Sequence, residues 1–487
     1  MLVAGVSFET SVPVGTMTGN RTGATIEQSY GAHQTRLLLI EDDGLVVCIV
    51  SSDFPNNALP ISDVIRDKLA TILEIPRSHV LNCATHNHCT TLLSHDTFEP
   101  YLIDRWAEYR EKPTCRLTSV GRSFMRDLRA AARSIRRRLQ PVTVWWSVGH
   151  EKRISYNRKG RRADGTTYFM REDDRCRIAR DYSGDVDTQA PVVVFRGEDG
   201  TAVAALAQFT AHPVTAYHPE HPVAHGEYPQ VATRMLAKHL AGKNGTPAVA
   251  FLQGCCGDVN SKKMFVGGAE AADRYGRFLG ATYVRAARRL QQSRRNDLSF
   301  RVETASVPLA RLPAIRTLDW EIAEMQDFVQ RALAGDEETL SCAGLNFPSD
   351  LSPRYRARLV EAPLSWCRWA RQQQQETAGR RSVPAALPNS LDMELSVIRL
   401  GDVGIVCMPC EPFQGIGRQI REKSPLPLTI PVGYTQVSHG YISDGPNTGD
   451  REYMSSFYRY TRFRPPLKRP AGDILARVGV RILREMS

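Results

Sequence analysis

The chain has 487 residues, 42% hydrophobic and 24% charged, which is ample material for a globular core. It has no run of about 18 apolar residues, so no helix reads as membrane-spanning, and Met1 to Glu9 lacks the basic opening and apolar stretch of a signal peptide. The net charge of +11 suits either solvated surfaces or an anionic partner, and eleven cysteines without disulfide-like spacing suit reduced thiols in the cytoplasm.

Strands and helices alternate from the start. Leu45 to Val50 is an apolar run of strand length, ending at Ser51-Ser52-Asp53. Ser62 is placed to cap a helix that runs toward Ile75, where Pro76 stops it. Val80 to Ala84 is a short strand feeding Thr85-His86-Asn87-His88. A long helix is expected from Ser119 to Gln140, before Pro141. Val142 to Trp146, Pro191 to Phe195 and Ala202 to Thr210 read as strands, the last running into Ala211-His212-Pro213. A helix near Gln230 to Leu240 follows, then a strand at Ala248 to Leu252 that ends at Gln253-Gly254-Cys255-Cys256-Gly257-Asp258, then a helix from Glu270 to Gln292. Residues 311–389 read as a helical insertion over the core. Leu395 to Leu400 and Val403 to Met408 make a hairpin around Gly401-Asp402, and a strand at Leu428 to Val432 precedes a Gly/Tyr-rich loop reaching Tyr460 and a short amphipathic helix. The pattern predicts one α/β domain over 1–487, a mixed sheet flanked by helices.

Basic clusters at Arg133 to Arg138, Lys152 to Arg162 and Arg285 to Arg295 fit solvated faces or attraction for an anion. No aromatic-rich nucleic-acid motif interleaves with them, so no nucleic-acid partner is expected.

Asp53, His86, His212, Asp258 and Glu411 each fall just past the C-terminal end of an apolar strand. In α/β folds that edge gathers the active site. His86 and His88, two apart on extended chain, project to one side. Each histidine alone is a weak signal, since a core histidine with satisfied hydrogen bonds is common. Glu411, after Met408-Pro409-Cys410, is costly to bury unless it is paired or binds a cation. Together these residues have the composition of a His₂-carboxylate zinc site with a position open to water.

The segments GVSFETSVPVG, VSSDF, NCATHNHCTT, FTAHPVT, FLQGCCGDVN, MPCEPF and GYISDG…REYMSSFY, in this order, resemble the catalytic domain of the neutral, non-lysosomal ceramidases and their bacterial relatives. The resemblance runs from about residue 3 to about residue 460 and is weakest between about 310 and 390. It implies Zn²⁺ held by His86, His212, Glu411 and Tyr441. It implies catalytic roles for His88, which lines the site, and for Tyr458, which faces the reacting carbonyl, with Tyr460 a competitor for that role. Asp53 is placed behind a ligand histidine.

Gly254 stands where ceramidases carry a serine. Cys255 or Cys256 could serve as nucleophiles, although neither has a basic neighbour in sequence and both fit a tight turn. No immunoglobulin-like C-terminal domain is expected, and a small, soluble, anionic substrate is expected in place of ceramide. The activity so implied is that of a zinc-dependent amidohydrolase using a metal-activated water. Lactam-forming cyclisation or another biosynthetic acyl transfer at the same metal site is the alternative, and an anion-binding protein without catalysis is a third.

Overall fold

The computed structural model describes residues 1–19, 24–96, 115–161, 167–170, 172, 175, 183–343, 345–347, 349–378, 387–449 and 464–487. The first half of the chain forms β1 (Leu2–Thr10), β2 (His33–Asp42), β3 (Leu45–Ser52), α1 (Ile61–Leu73), β4 (Val80–Ala84), α2 (Ser119–Ile135), β5 (Gln140–His150), β6 (Gln189–Gly197), β7 (Ala202–Phe209), α3 (Glu227–Leu240), β8 (Ala248–Gln253) and α4 (Gly268–Ala287). The second half adds β9 (Leu298–Pro308), α5 (Ile315–Leu333), α6 (Pro353–Ala378), β10 (Ser390–Leu400), β11 (Val403–Cys407), α7 (Gln414–Lys423), β12 (Leu428–Val432) and α8 (Asp473–Met486).

The strands make two principal sheets. One runs β8-β7-β6-β5-β1-β2-β3-β4, with Gln291–Gln292 paired beside β5, and the other runs β9-β10-β11-β12. Each is mixed: β3–β4, β7–β8 and β11–β12 are parallel, and the remaining neighbours antiparallel. A single apolar cluster draws Leu38, Ile49, Leu81, Val193 and Leu252 from the large sheet and Ile398, Ile405 and Ile430 from the small one. The sheets therefore pack face to face. Helices α1 and α2 cover one part of the large sheet's outer face, α3 and α4 another, and α7 and α8 cover the small sheet. The α/β class read from sequence is correct, with the strands divided between two stacked sheets.

Several boundaries differ for local reasons. Ser62 lies inside α1 and donates its hydroxyl to the Gln436 carbonyl instead of capping; Pro60 holds the N-cap position, and Glu74, in the left-handed region at φ 53°, closes the helix. Thr118 does cap α2, accepting from the Gly121 amide at 2.9 Å. That helix stops at Ile135, because 136–138 tighten into a 3₁₀ turn and β5 begins at Gln140. Strands β1, β2 and β9 escaped the sequence reading. In β2 the apolar run is only Leu37 to Ile40, and the residue before it, Arg36, is fully buried and pairs with Asp53 at 2.7 Å.

Between β9 and β10, α5 and α6 pack on each other through Leu318, Met325, Phe328, Val360 and Trp366. Phe413 joins this cluster and Tyr441 packs against it.

Candidate metal centre

The ends of the parallel strands meet at the seam between the two sheets, and backbone hydrogen bonds join them there. The Ala84 amide donates to the Tyr434 carbonyl, Gly433 to Gln253, Gly257 to Pro412, and His212 to Val259. These bonds bring the sequence-distant endings of β4, β7, β8 and β11 to one place.

His86, half-buried, lies two residues beyond β4 in the left-handed region at φ 62°. Such a conformation is uncommon for a residue with a Cβ and is typically retained at functional sites. Tyr434, also left-handed at φ 58°, lays its ring against the His86 ring, with centroids 4.1 Å apart and planes tilted by 33°. The Nε2 atoms of His86 and His88 are 3.3 Å apart. His212, buried after β7, has its Nδ1 3.1 Å from the Val259 carbonyl. A carbonyl can only accept, so Nδ1 carries the proton and Nε2 keeps a lone pair.

Glu411 supplies the charge. Its Oε2 lies 3.3 Å from Nε2 of His86 and 3.4 Å from Nε2 of His212. Both Glu411 Oε2 and His212 Nε2 are buried without a hydrogen-bond partner. Burial works to raise the Glu411 carboxyl, but His86 and His212 outweigh it and hold the group well below the carboxylate range. Burial pushes His212 down to about 4, aided by the Arg158 charge, and holds His88 well below its usual value, aided by His86. Near neutral pH the Glu411 carboxylate is ionised, and the His88 and His212 imidazoles beside it are neutral. Three of the donors, on His86, His88 and His212, lie within 4.8 Å of one another and could hold a metal ion.

Tyr441 is the register partner of Glu411 in a short parallel bridge, and its ring stacks toward His212 with centroids 6.2 Å apart. Burial raises its phenol, while the Arg158 guanidinium, 5.5 Å from the ring centre, works to lower it. Tyr458 and Tyr460 lie outside the described residues.

Other polar residues take different positions. The Asp53 carboxylate is occupied by Arg36 and by the Gln34 amide at 3.0 Å, and reaches the histidine segment only through its own carbonyl, which accepts from Asn87 Nδ2 at 3.2 Å. Its place is therefore behind Asn87, not behind a ligand histidine. Asp258 caps α7, accepting from the Gln414 amide at 2.8 Å. The Cys256 thiol donates to the Tyr434 hydroxyl at 3.0 Å. Burial pushes the Cys255 and Cys256 thiols upward, so neither presents a thiolate.

Three contributors escaped the sequence reading. Arg158 sits within a basic run yet is buried, donating to Asn260 Oδ1 at 3.1 Å and to the Gly257 carbonyl at 2.6 Å. The flanking lysines and arginines hid it, and the signal that could have found it was its place directly after the buried strand Ser155–Asn157. Tyr217, whose ring lies 5.3 Å from that of His88, and Tyr434 sit in loops without periodicity.

No family model and no curated protein matches the chain. Solved structures do, among them two that match over the whole of this chain: a ceramidase complexed with C2 (TM-score 0.61, 16% identity, 75% of that chain) and a neutral ceramidase from Pseudomonas aeruginosa (TM-score 0.59, 16% identity, 73% of that chain). The chain has the neutral-ceramidase fold. Among the described residues no helix is long and apolar enough to cross a membrane.

Proposed function

We propose that the chain is a zinc-dependent amidohydrolase, acting on a carboxamide or related acyl bond of a small, soluble, anionic substrate. The observation that carries this is the convergence of His86, His212 and Glu411 at 3.3 and 3.4 Å with two buried donor atoms left unsatisfied. Ligand bonds of about 2.0–2.1 Å in a tetrahedron give an edge of about 3.3 Å, so the spacing fits zinc. The donor set of imidazole and carboxylate fits it as well. His86, His212 and Glu411 would hold the ion, with Tyr441 completing the set as the resemblance implies.

Zinc, when bound, polarises a carbonyl and lowers the pKa of water toward about 7. His88, kept neutral by burial, is suited to take a proton and return it to the departing nitrogen, which leaves poorly as an anion. Tyr458 is assigned to the developing oxyanion. Arg158 supports an anionic substrate, because its charge is held beside Tyr441 and reaches His212. The ten free cysteines among the described residues support a reducing compartment such as the cytoplasm.

The buried donors of His212 and Glu411 also suit the reverse reaction, closure of an amide or lactam where water is scarce. The test is to assay protein never exposed to chelator against soluble N-acyl carboxylates, reading products by mass. Hydrolysis adds water and cyclisation removes it. A protein that carries no transition metal under these conditions refutes the reading.

A further inference from the structure

Residues 225–228, at the start of α3, touch both histidine-bearing segments. The His225 amide donates to the Cys89 carbonyl at 3.0 Å, and Asn87 Nδ2 donates to the His225 carbonyl at 2.9 Å. The Tyr228 hydroxyl donates to the carbonyl of Ala211, the residue before His212, at 2.5 Å. Between them stands Glu227, fully buried and in the left-handed region at φ 54°.

The Glu227 side chain spans the two segments. Its Oε1 accepts from the Ala216 amide at 2.6 Å, past His212, and from the thiol of Cys89, next to His88, at 3.5 Å. Its Oε2 accepts from the Tyr228 amide at 3.4 Å. A buried carboxylate is unfavourable and so is a left-handed backbone at a residue with a Cβ. Burial pushes this carboxyl up to about 7. Both penalties fall on one residue, and its acceptor contacts run to the two loops whose separation sets the donor cluster.

We infer that Glu227 is a positioning residue, whose carboxylate fixes the 86–89 segment against the 212–216 segment and so sets the spacing of the metal donors. This rests on the reading of His86, His212 and Glu411 as a metal site. Glutamine keeps an oxygen for Ala216 and Cys89. Aspartate keeps the carboxylate but is one methylene too short to reach both.

The test uses the full chain, stripped of metal. It is titrated with Zn²⁺ against a chelating dye and with Co²⁺ by visible absorption, below the melting point of every variant. Glu227→Ala and Glu227→Asp should bind Zn²⁺ about 10–100-fold more weakly and change the Co²⁺ bands, while Glu227→Gln stays within about threefold and keeps them. If Glu227→Ala does not fold, Glu227→Asp carries the test. A merely structural role would lower stability without moving the spectrum, so Glu227→Asp with unchanged affinity and bands overturns the inference while leaving the metal site standing. A parent protein that binds neither ion overturns both.

Discussion

His212 donates its Nδ1 proton to the main-chain carbonyl of Val259, 3.1 Å away, and this bond decides which ring nitrogen faces Glu411. The same Val259 carbonyl accepts the His212 amide. One strand end thus fixes both the backbone and the tautomer, as partners behind a metal ligand commonly do. His212→Ala and His86→Ala should each lose zinc by more than the ~10–100-fold typical of removing an outer partner. The fold should survive, because both side chains lie beyond strand ends and alanine at position 86 meets the same left-handed backbone that histidine already tolerates. Elemental analysis with circular dichroism reads both outcomes. Zinc retained in the His212 variant would reject the assignment.

Much of this was legible in the sequence because its signals were local. Val80 to Ala84 and Leu428 to Val432 are short, mostly apolar runs, broken only by Asn82 and Thr429, and the structure places strands on those same residues. His86, His212 and Glu411 stand out because each is a polar group just past the C-terminal end of such a run. Pairings between distant segments were not legible. Arg36 reads as one more polar residue ahead of a four-residue apolar run until Asp53, seventeen residues on, is seen to neutralise it. Glu227 and Arg158 sit in polar stretches, and their burial depends on contacts with 89, 216, 257 and 260 that no periodicity encodes.

Gly254, where ceramidases carry serine, is closed to any side chain. A Cβ there would meet Nε2 of Gln208 and Oγ1 of Thr210 and stand 3.0 Å from the Phe209 carbonyl. Gln208 and Thr210 are hydrogen-bonded to each other at 3.0 Å, and Thr210 also donates to Asp187 at 2.9 Å. Gly254→Ser should therefore destabilise by about 1–3 kcal/mol, as overpacking of a buried site does. Adding Thr210→Ala should recover part of the loss. Urea midpoints measure both, and a serine variant as stable as the parent would show that the turn has room after all.

His33 should make stability fall with acid. Burial pushes its imidazole down to about 4, whereas in the unfolded chain it titrates near 6.5. A lowered pKa contributes stability that is complete above about 6.5 and lost as pH falls toward 4. Glu227 and Asp258, raised by burial to about 7 and about 6, act in the opposite sense over the same range, so the parent alone cannot isolate the histidine. Comparison with His33→Asn can. Between pH 7.5 and 5 the metal-free parent should lose about 2 kcal/mol more than the variant, at roughly 1.4 kcal/mol per pKa unit. Equal losses in urea titrations would mean that His33 is not held neutral by the fold.

Tyr441 and Tyr458 should separate ground-state binding from transition-state stabilisation. Tyr441 is register-paired with Glu411, stacks toward His212 and lies under the Arg158 guanidinium, a cation that favours ionisation of the phenol. A phenolic oxygen that binds metal contributes affinity before any chemistry, so Tyr441→Phe should weaken zinc binding. Tyr458, assigned to the oxyanion, contributes only as negative charge develops. Tyr458→Phe should leave zinc in place and lower kcat by about 10²–10³, the usual effect of removing one such donor. Zinc titration and turnover, measured on the same preparations, distinguish the two. Full activity in Tyr458→Phe with loss in Tyr460→Phe would move the role two residues along the loop. Full activity in both would assign the oxyanion to other donors, with the amides between Gly254 and Gly257, beside Glu411, next to be tested.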